Sequence, residues 1–262
     1  MRKTKTILVQ RIILLVAIGL VWEAATGGLG IETALFEPII LAKPSLIAVD
    51  IYEYALSGLI VKDLLSTLKA AFLGLFLGII SGVVVGVLFG RWRTIADVME
   101  PIMVGMNSLP RITVAPVMIL WFGLGLTSKV VLALFTVFFV VFFNTFLGIR
   151  NVDPDLVKAV KTMGATPHQI TRMVVIPSVA SWIFAALRTS VSFALSGAVV
   201  GEFVGSTEGL GYRMLIALGL LETERVFSIM IILMLIGSVL VGITSRIERY
   251  LLRWRPAMAQ ME

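Results

Sequence analysis

Few side chains in this sequence are able to do chemistry. Its 262 residues include a single histidine, His168, and no cysteine, so neither thiol chemistry nor a disulfide framework is on offer. No G-x-x-x-x-G-K-[ST] run occurs, so the chain has no phosphate-cradling loop of its own. What remains is a set of charges inside long apolar stretches: Arg111, Arg188, Glu23 and Glu202. Charges in such stretches are expensive and usually face a cavity or a partner. A guanidinium offers a planar fork of donors and a permanent charge, which suits an oxyanion. Arg111 follows Asn107, Ser108 and Pro110, and Pro116 lies five residues on. Each proline removes a backbone donor, so a kinked or unwound helix is expected there. Asn107, Ser108, Arg111 and Arg188 are therefore the candidate wall residues of a solute path. The alternative is structural, with Arg111 satisfying carbonyls freed at Pro110 and Arg188 pairing with a neighbouring carbonyl or carboxylate. Glu23 and Glu202 read as buried partners rather than ligands.

The elements that must carry these residues are membrane helices. The chain is 58% hydrophobic and 15% charged, with a mean hydropathy of +1.01. A soluble domain is nearer half apolar and a quarter charged, so lipid must solvate most of this one. About 20 apolar residues span the hydrocarbon as a helix, and six stretches qualify: 7–25, 68–89, 102–124, 130–149, 179–204 and 226–243. The basic N-terminus followed by an apolar run resembles a signal peptide. Trp22 and Glu23 interrupt it and no small-residue cleavage site follows, so it reads as a retained span.

Charge distribution orients the spans. Fourteen basic residues fall on one side: Arg2, Lys3, Lys5 and Arg11, then Arg91 and Arg93, then Arg150, Lys158, Lys161 and Arg172, then Arg246, Arg249, Arg253 and Arg255. The alternate connections hold only Lys43, Lys62, Lys129, Arg213 and Arg225, together with most of the acids. Lys/Arg-rich connections stay in the cytoplasm, so both termini are expected there. On this view the net charge of +6 is membrane-orienting, and no nucleic-acid partner is expected. With Arg111 and Arg188 each about ten residues into a span, both are expected on the order of 14–15 Å deep. Glycine recurs at 74, 78, 82, 86 and 90. Small residues at that spacing let helices approach closely in lipid, and the slow drift of a four-residue stripe suits neighbours crossing at more than one height.

One cytoplasmic connection, 150–178, is long and patterned. Asp153-Pro154 forms a helix start with acid in the first turn. Leu156, Val157, Val160 and Met163 share a face, with Lys158 and Lys161 outside it. Gly164 ends that helix and Thr166-Pro167 begins the next, with Ile170, Met173, Val174 and Pro177 as a second apolar face. Two short amphipathic helices could dock in a partner's groove or lie along lipid.

Here the sequence resembles the importer-type permeases of ABC transporters. Their cytoplasmic loop carries E-A-A, three residues, G, nine residues, then I-x-L-P. The pattern falls on Lys158-Ala159-Val160, Gly164 and Val174-Val175-Ile176-Pro177. Lys158 stands where Glu is usual and Val160 where Ala is usual. The stretches NSLPRITVAPVMILWFGLGLTSK (107–129) and GEFVGSTEGLGYRM (201–214) are similar to the nitrate, sulfonate and taurine type. The resemblance implies an all-α, six-helix, type I ABC importer permease fold as one domain over 1–262. It implies that Asp155, Lys158, Ala159, Gly164, Ala165, Thr166 and Pro177 contact an ATPase subunit, which binds the ATP; no cofactor is expected in this chain. The implied partners are ATPase subunits, an extracytoplasmic solute-binding protein and a second, identical permease chain. An oxyanion such as sulfonate, taurine or nitrate is the expected substrate, with pyrimidine, thiamine-precursor and flavin solutes as the alternative. An ion-coupled transporter would want more membrane carboxylates and an internal repeat. A membrane enzyme would want a nucleophile–base pair or a metal cluster.

Overall fold

The apolar stretches form helices throughout the computed structural model, which describes residues 2–28, 35–37 and 39–251. In chain order these are α1 (Arg2–Ala25), α2 (Pro44–Leu56), α3 (Leu59–Arg91), α4 (Arg93–Asn107), α5 (Arg111–Phe122), α6 (Leu126–Arg150), α7 (Pro154–Thr162) and α8 (Pro167–Ile170). A π-helical turn, Thr171–Val175, leads into α9 (Ile176–Gly205), and α10 (Leu210–Leu220) and α11 (Thr223–Leu251) follow. Four of them, α3, α6, α11 and the run from α8 through α9, are long and apolar enough to cross a membrane.

A fifth candidate span is broken. The stretch 102–124 is not one helix: α4 and α5 meet at 95° across Ser108, Leu109 and Pro110. The expected break therefore falls at Pro110, whereas Pro116 is accommodated inside α5. The first expected span, 7–25, is helical within α1, which packs on α2 and, through Trp22, on Phe227 of α11. Glu23 accepts hydrogen bonds from the Ser45 amide and hydroxyl at the start of α2. Its partner is thus a helix N-terminus and not an arginine.

The core is the triple contact of α3, α6 and α9. A Cβ added at Gly74, Gly78, Gly82, Gly86 or Gly90 would run into Ala133, Val137, Val141, Thr145 or Ile149 respectively. Both rows advance by four, so two stripes with the same drift stay in register along the whole interface. The expectation of several crossing neighbours is replaced by one: the glycine stripe serves α6 alone. Behind it, Phe138, Phe142 and Phe146 stack in parallel along α6, with Phe89 edge-on to Phe142 at 5.5 Å. Each such pair adds about 0.5–1.5 kcal/mol beyond the area it buries.

Candidate coupling segment and solute path

Three local signals build the segment after α6. The Asp153 carboxylate accepts from the Asp155 amide at 2.8 Å and Pro154 opens α7, so two of the orphan donors of a helix start are removed. Gly164 then has φ +83°, the left-handed conformation that lets the chain reverse. Thr166 and Gln169 form a reciprocal capping box that starts α8. The expected second amphipathic helix is not free-standing, because α8 runs through the π-helical turn directly into α9.

No residue of α7 is buried, and the helix touches the rest of the chain through α8. Met163 is 83% exposed and Leu156 is also exposed, whereas Val157 and Val160 are half-buried. Lys158 is used locally, 3.0 Å from Asp155 on the solvent side of the helix. Ala159 and Thr166 are exposed, and Ala165 and Pro177 are partly covered. A nine-residue helix with an open apolar end is too short to persist by propensity alone. Its caps hold it, and among the described residues nothing covers Leu156 and Met163.

The expected path residues divide. Asn107 and Ser108 are exposed at the α4 terminus, where the Ser108 hydroxyl donates back to the Val104 carbonyl. Arg111 opens α5 with its guanidinium 4.6 Å above the Phe193 ring of α9. Arg188, also on α9, donates to Glu248 Oε2 of α11 at 2.8 Å. Phe193 and Arg188 are five residues apart, which turns them on the order of 140° from each other around the helix. The two guanidinium groups thus face different neighbours, and Arg188 has its own carboxylate.

The chain's most elaborate polar site lies at the opposite end of α6 from α7, and the charge pattern alone misassigned it. Lys129, Asp63 and Arg213 read as loop residues. Instead Lys129 and Asp63 are buried inside α6 and α3, and Arg213 lies on α10. Lys129 Nζ is 3.6 Å from Glu202 Oε1, with the two side chains 2% and 0% exposed. The same ammonium donates to Ser66 Oγ at 3.0 Å and to the Glu208 carbonyl at 3.2 Å. Glu202 also accepts from Thr67 Oγ1 and from the Gly211 amide. Asp63 accepts from Tyr54 at 2.7 Å, from Arg213 Nε at 3.0 Å and from the Gly209 amide at 3.1 Å. Burial, with the Asp63 carboxylate beside it, raises the Tyr54 phenol pKa, so the phenol stays a neutral donor.

The turn 206–209 threads between these two carboxylates. Gly209 has φ +114°, and a Cβ there would collide with the Glu202 carboxylate. The pairs Lys62–Glu208 and Arg225–Asp50 complete this end. Its positive charges are thereby largely neutralised, and Arg225 in addition lies 4.5 Å over the Tyr54 ring. The one signal available beforehand was the glycine-flanked Glu202 in the 201–214 stretch.

Among the described residues, several long apolar helices, a broken helix and a capped helix projecting from one end make up the architecture of a multi-pass membrane protein. The chain belongs to the family described as "Binding-protein-dependent transport system inner membrane component", whose model matches residues 74–254. It is an ABC importer permease subunit. It is 38% identical, over 89% of this chain and 85% of the relative, to the riboflavin transport system permease protein of Chloroflexus aurantiacus. It is 32% identical, over 90% and 83%, to the putative aliphatic sulfonates transport permease protein of Bacillus subtilis. In fold it is similar to a chain from a crystal structure of an amino acid ABC transporter with histidines. The TM-score is 0.61 at 22% identity, over 79% of this chain and 98% of the other.

Proposed function

We propose that α7 is the docking helix of the permease, inserted into a cleft on a separate ATPase subunit, and that its displacement drives the solute path between inward- and outward-facing states. The observation that carries this is a capped helix with no buried residue and exposed Leu156 and Met163, held by Gly164 at φ +83°. Asp155, Lys158, Ala159, Ala165 and Thr166 lie on or beside it, and Pro177 opens the helix behind it. Hydrolysis belongs to the partner, and an extracytoplasmic binding protein delivers the solute to the opposite end.

On this reading the chain crosses the bacterial inner membrane six times, α1 and the α4/α5 pair each counting as one span. Both termini and α7 lie in the cytoplasm, which agrees with fourteen basic residues on that side. A second identical chain supplies the other half of the path. The test is reconstitution with the ATPase and binding protein, followed by Gly164→Leu. ATP-driven uptake should be lost while the protein stays in the membrane, and unchanged uptake would remove α7 from the mechanism.

For the substrate, two classes stand. The pairing of Arg188 with Glu248 leaves Arg111, stacked on Phe193, as the expected path arginine with no carboxylate partner among the described residues. Pairing one of the two expected arginines removes the electropositive ring that an anion would want, which supports a planar flavin- or pyrimidine-like solute, in line with the riboflavin relative. The second reading is an oxyanion such as sulfonate, taurine or nitrate, which Arg111 favours. Stimulation of ATP hydrolysis by solute-loaded binding protein, riboflavin against taurine, separates them.

A further inference from the structure

Helix α6 is unbroken and is tied by charged residues near both ends. At the α7 end its last residue, Arg150, reaches Glu100 and Asp97 on α4 at 3.4 and 3.6 Å, and α7 begins four residues later at Pro154. At the far end Lys129 holds Glu202 of α9, Ser66 of α3 and the Glu208 carbonyl of the 206–209 turn. The two residues are about 32 Å apart along the axis, close to the hydrocarbon thickness. Between them the glycine stripe of α3 and Gly197 and Gly201 of α9 bring both helices into close contact with α6. A close-packed helix of this kind has low compressibility and moves as a rod.

What the rod would move is assembled at the Lys129 end. The 206–209 turn is fastened to α3 through Asp63 and Thr67, which meet the Gly209 and Leu210 amides. The exit of α5 joins it, since the Gly125 amide donates to the Gly205 carbonyl at 3.2 Å. That turn therefore gathers α3, α5, α6, α9 and α10 at one mouth of the bundle.

We propose that Lys129 and Glu202 are a positioning pair: they pass the displacement of α7, carried along α6, to the 206–209 turn and the end of α5, and so set the mouth of the path remote from the ATPase. The proposal rests on α7 being the docking helix. A buried ion pair is weak evidence for stability, because desolvation offsets its attraction and apolar side chains of similar volume often do as well. Its distinctive property here is geometric. The ammonium hydrogen-bonds Ser66 and the Glu208 carbonyl and lies 3.6 Å from the Glu202 carboxylate, so it links three different elements that an apolar side chain could fill against but not hold.

The test uses the reconstituted transporter with its ATPase and binding protein, scoring membrane abundance, ATP hydrolysis and uptake together. Lys129→Met alone strands a buried carboxylate, so abundance should fall. The neutralised pair Lys129→Met/Glu202→Gln should recover abundance to within about twofold of wild type, yet take up solute about tenfold or more slowly while hydrolysis continues. Ser66→Ala, which removes one anchor and no charge, should fold normally and show uptake per ATP reduced about threefold. Uptake following abundance in the double variant, or unchanged uptake per ATP in Ser66→Ala, would overturn the proposal. Failure of the α7 reading shows separately, as normal uptake in Gly164→Leu with the Lys129 and Glu202 side chains intact, and takes this proposal with it.

Discussion

The Arg188 guanidinium donates to Glu248 Oε2 at 2.8 Å, so the charge in the middle of α9 is held by a carboxylate on α11. The pair is uneven in its surroundings, with Arg188 51% exposed and Glu248 17%. Removing the arginine strands a mostly covered acid, while removing both removes the problem. A half-exposed pair is worth on the order of 1 kcal/mol after screening. Arg188→Gln should therefore lower membrane abundance and uptake in proportion, and Arg188→Gln/Glu248→Gln should restore both. Uptake that falls with abundance unchanged would instead place Arg188 on the solute path.

Arg111 behaves differently. Its contact with Phe193 contributes on the order of 0.5–1 kcal/mol, so Arg111→Gln should leave abundance within error. Its effect on uptake reports the substrate class. A neutral ring-bearing solute should tolerate the change, whereas an oxyanion should lose about tenfold or more in uptake, because a charge-assisted donor is gone. Lysine at the same position keeps charge without the fork and should be intermediate for an anion.

The stripe on α3 predicts a sharp contrast among glycines. A methyl at Gly82 would lie 2.9 Å from the Phe138 carbonyl oxygen and 2.9 Å from Val141 Cβ, neither of which can swing away. Overpacking of this kind costs about 1–3 kcal/mol, so Gly82→Ala should lower the unfolding temperature in detergent. Gly105→Ala meets nothing within 4 Å on α4. Helix propensity should make that change neutral or stabilising by up to about 1 kcal/mol. Equal effects at the two sites would refute helix contact as the role of the stripe.

At Gly164 space is not the constraint, because a Cβ there meets nothing within 4 Å; the positive φ is. Alanine should cost about 1–2 kcal/mol locally, and asparagine, which tolerates the left-handed region, should cost less. Uptake in proteoliposomes should therefore rank glycine, asparagine, alanine, leucine. Any other order would mean that shape rather than backbone conformation governs the site.

Sidedness can be measured cleanly, since the chain contains no cysteine. Thr207 is the better outer probe than Glu208, whose carbonyl and carboxylate are both engaged at the buried cluster. An impermeant thiol reagent should label Thr207→Cys from outside and His168→Cys after permeabilisation. The opposite pattern would invert the topology and separate α7 from any cytoplasmic ATPase.

Local chemistry by itself determined the helical spans 68–89, 130–149, 179–204 and 226–243, the break at Pro110 and the reversal at Gly164. Each depends on properties of a few adjacent residues: apolar length, a missing backbone donor, a permitted positive φ. The capped segment around α7 was legible for the same reason, because Asp153, Pro154, Gly164 and Thr166 act on their own turn of chain. Tertiary structure alone decided which faces meet. In lipid an outward Leu or Phe is as well solvated as an inward one, so hydropathy marks a span without marking its protein-facing side. The match of Gly78 to Val137, 59 positions away, comes from shape. The same limit governs the charges. Lys129 and Glu202 are 73 positions apart and Asp63 and Arg213 are 150 apart, and nothing near either residue names its partner. A charge at the end of an apolar run looks like a loop residue until the helices close around it, and only then does the absence of water force it to find an opposite charge.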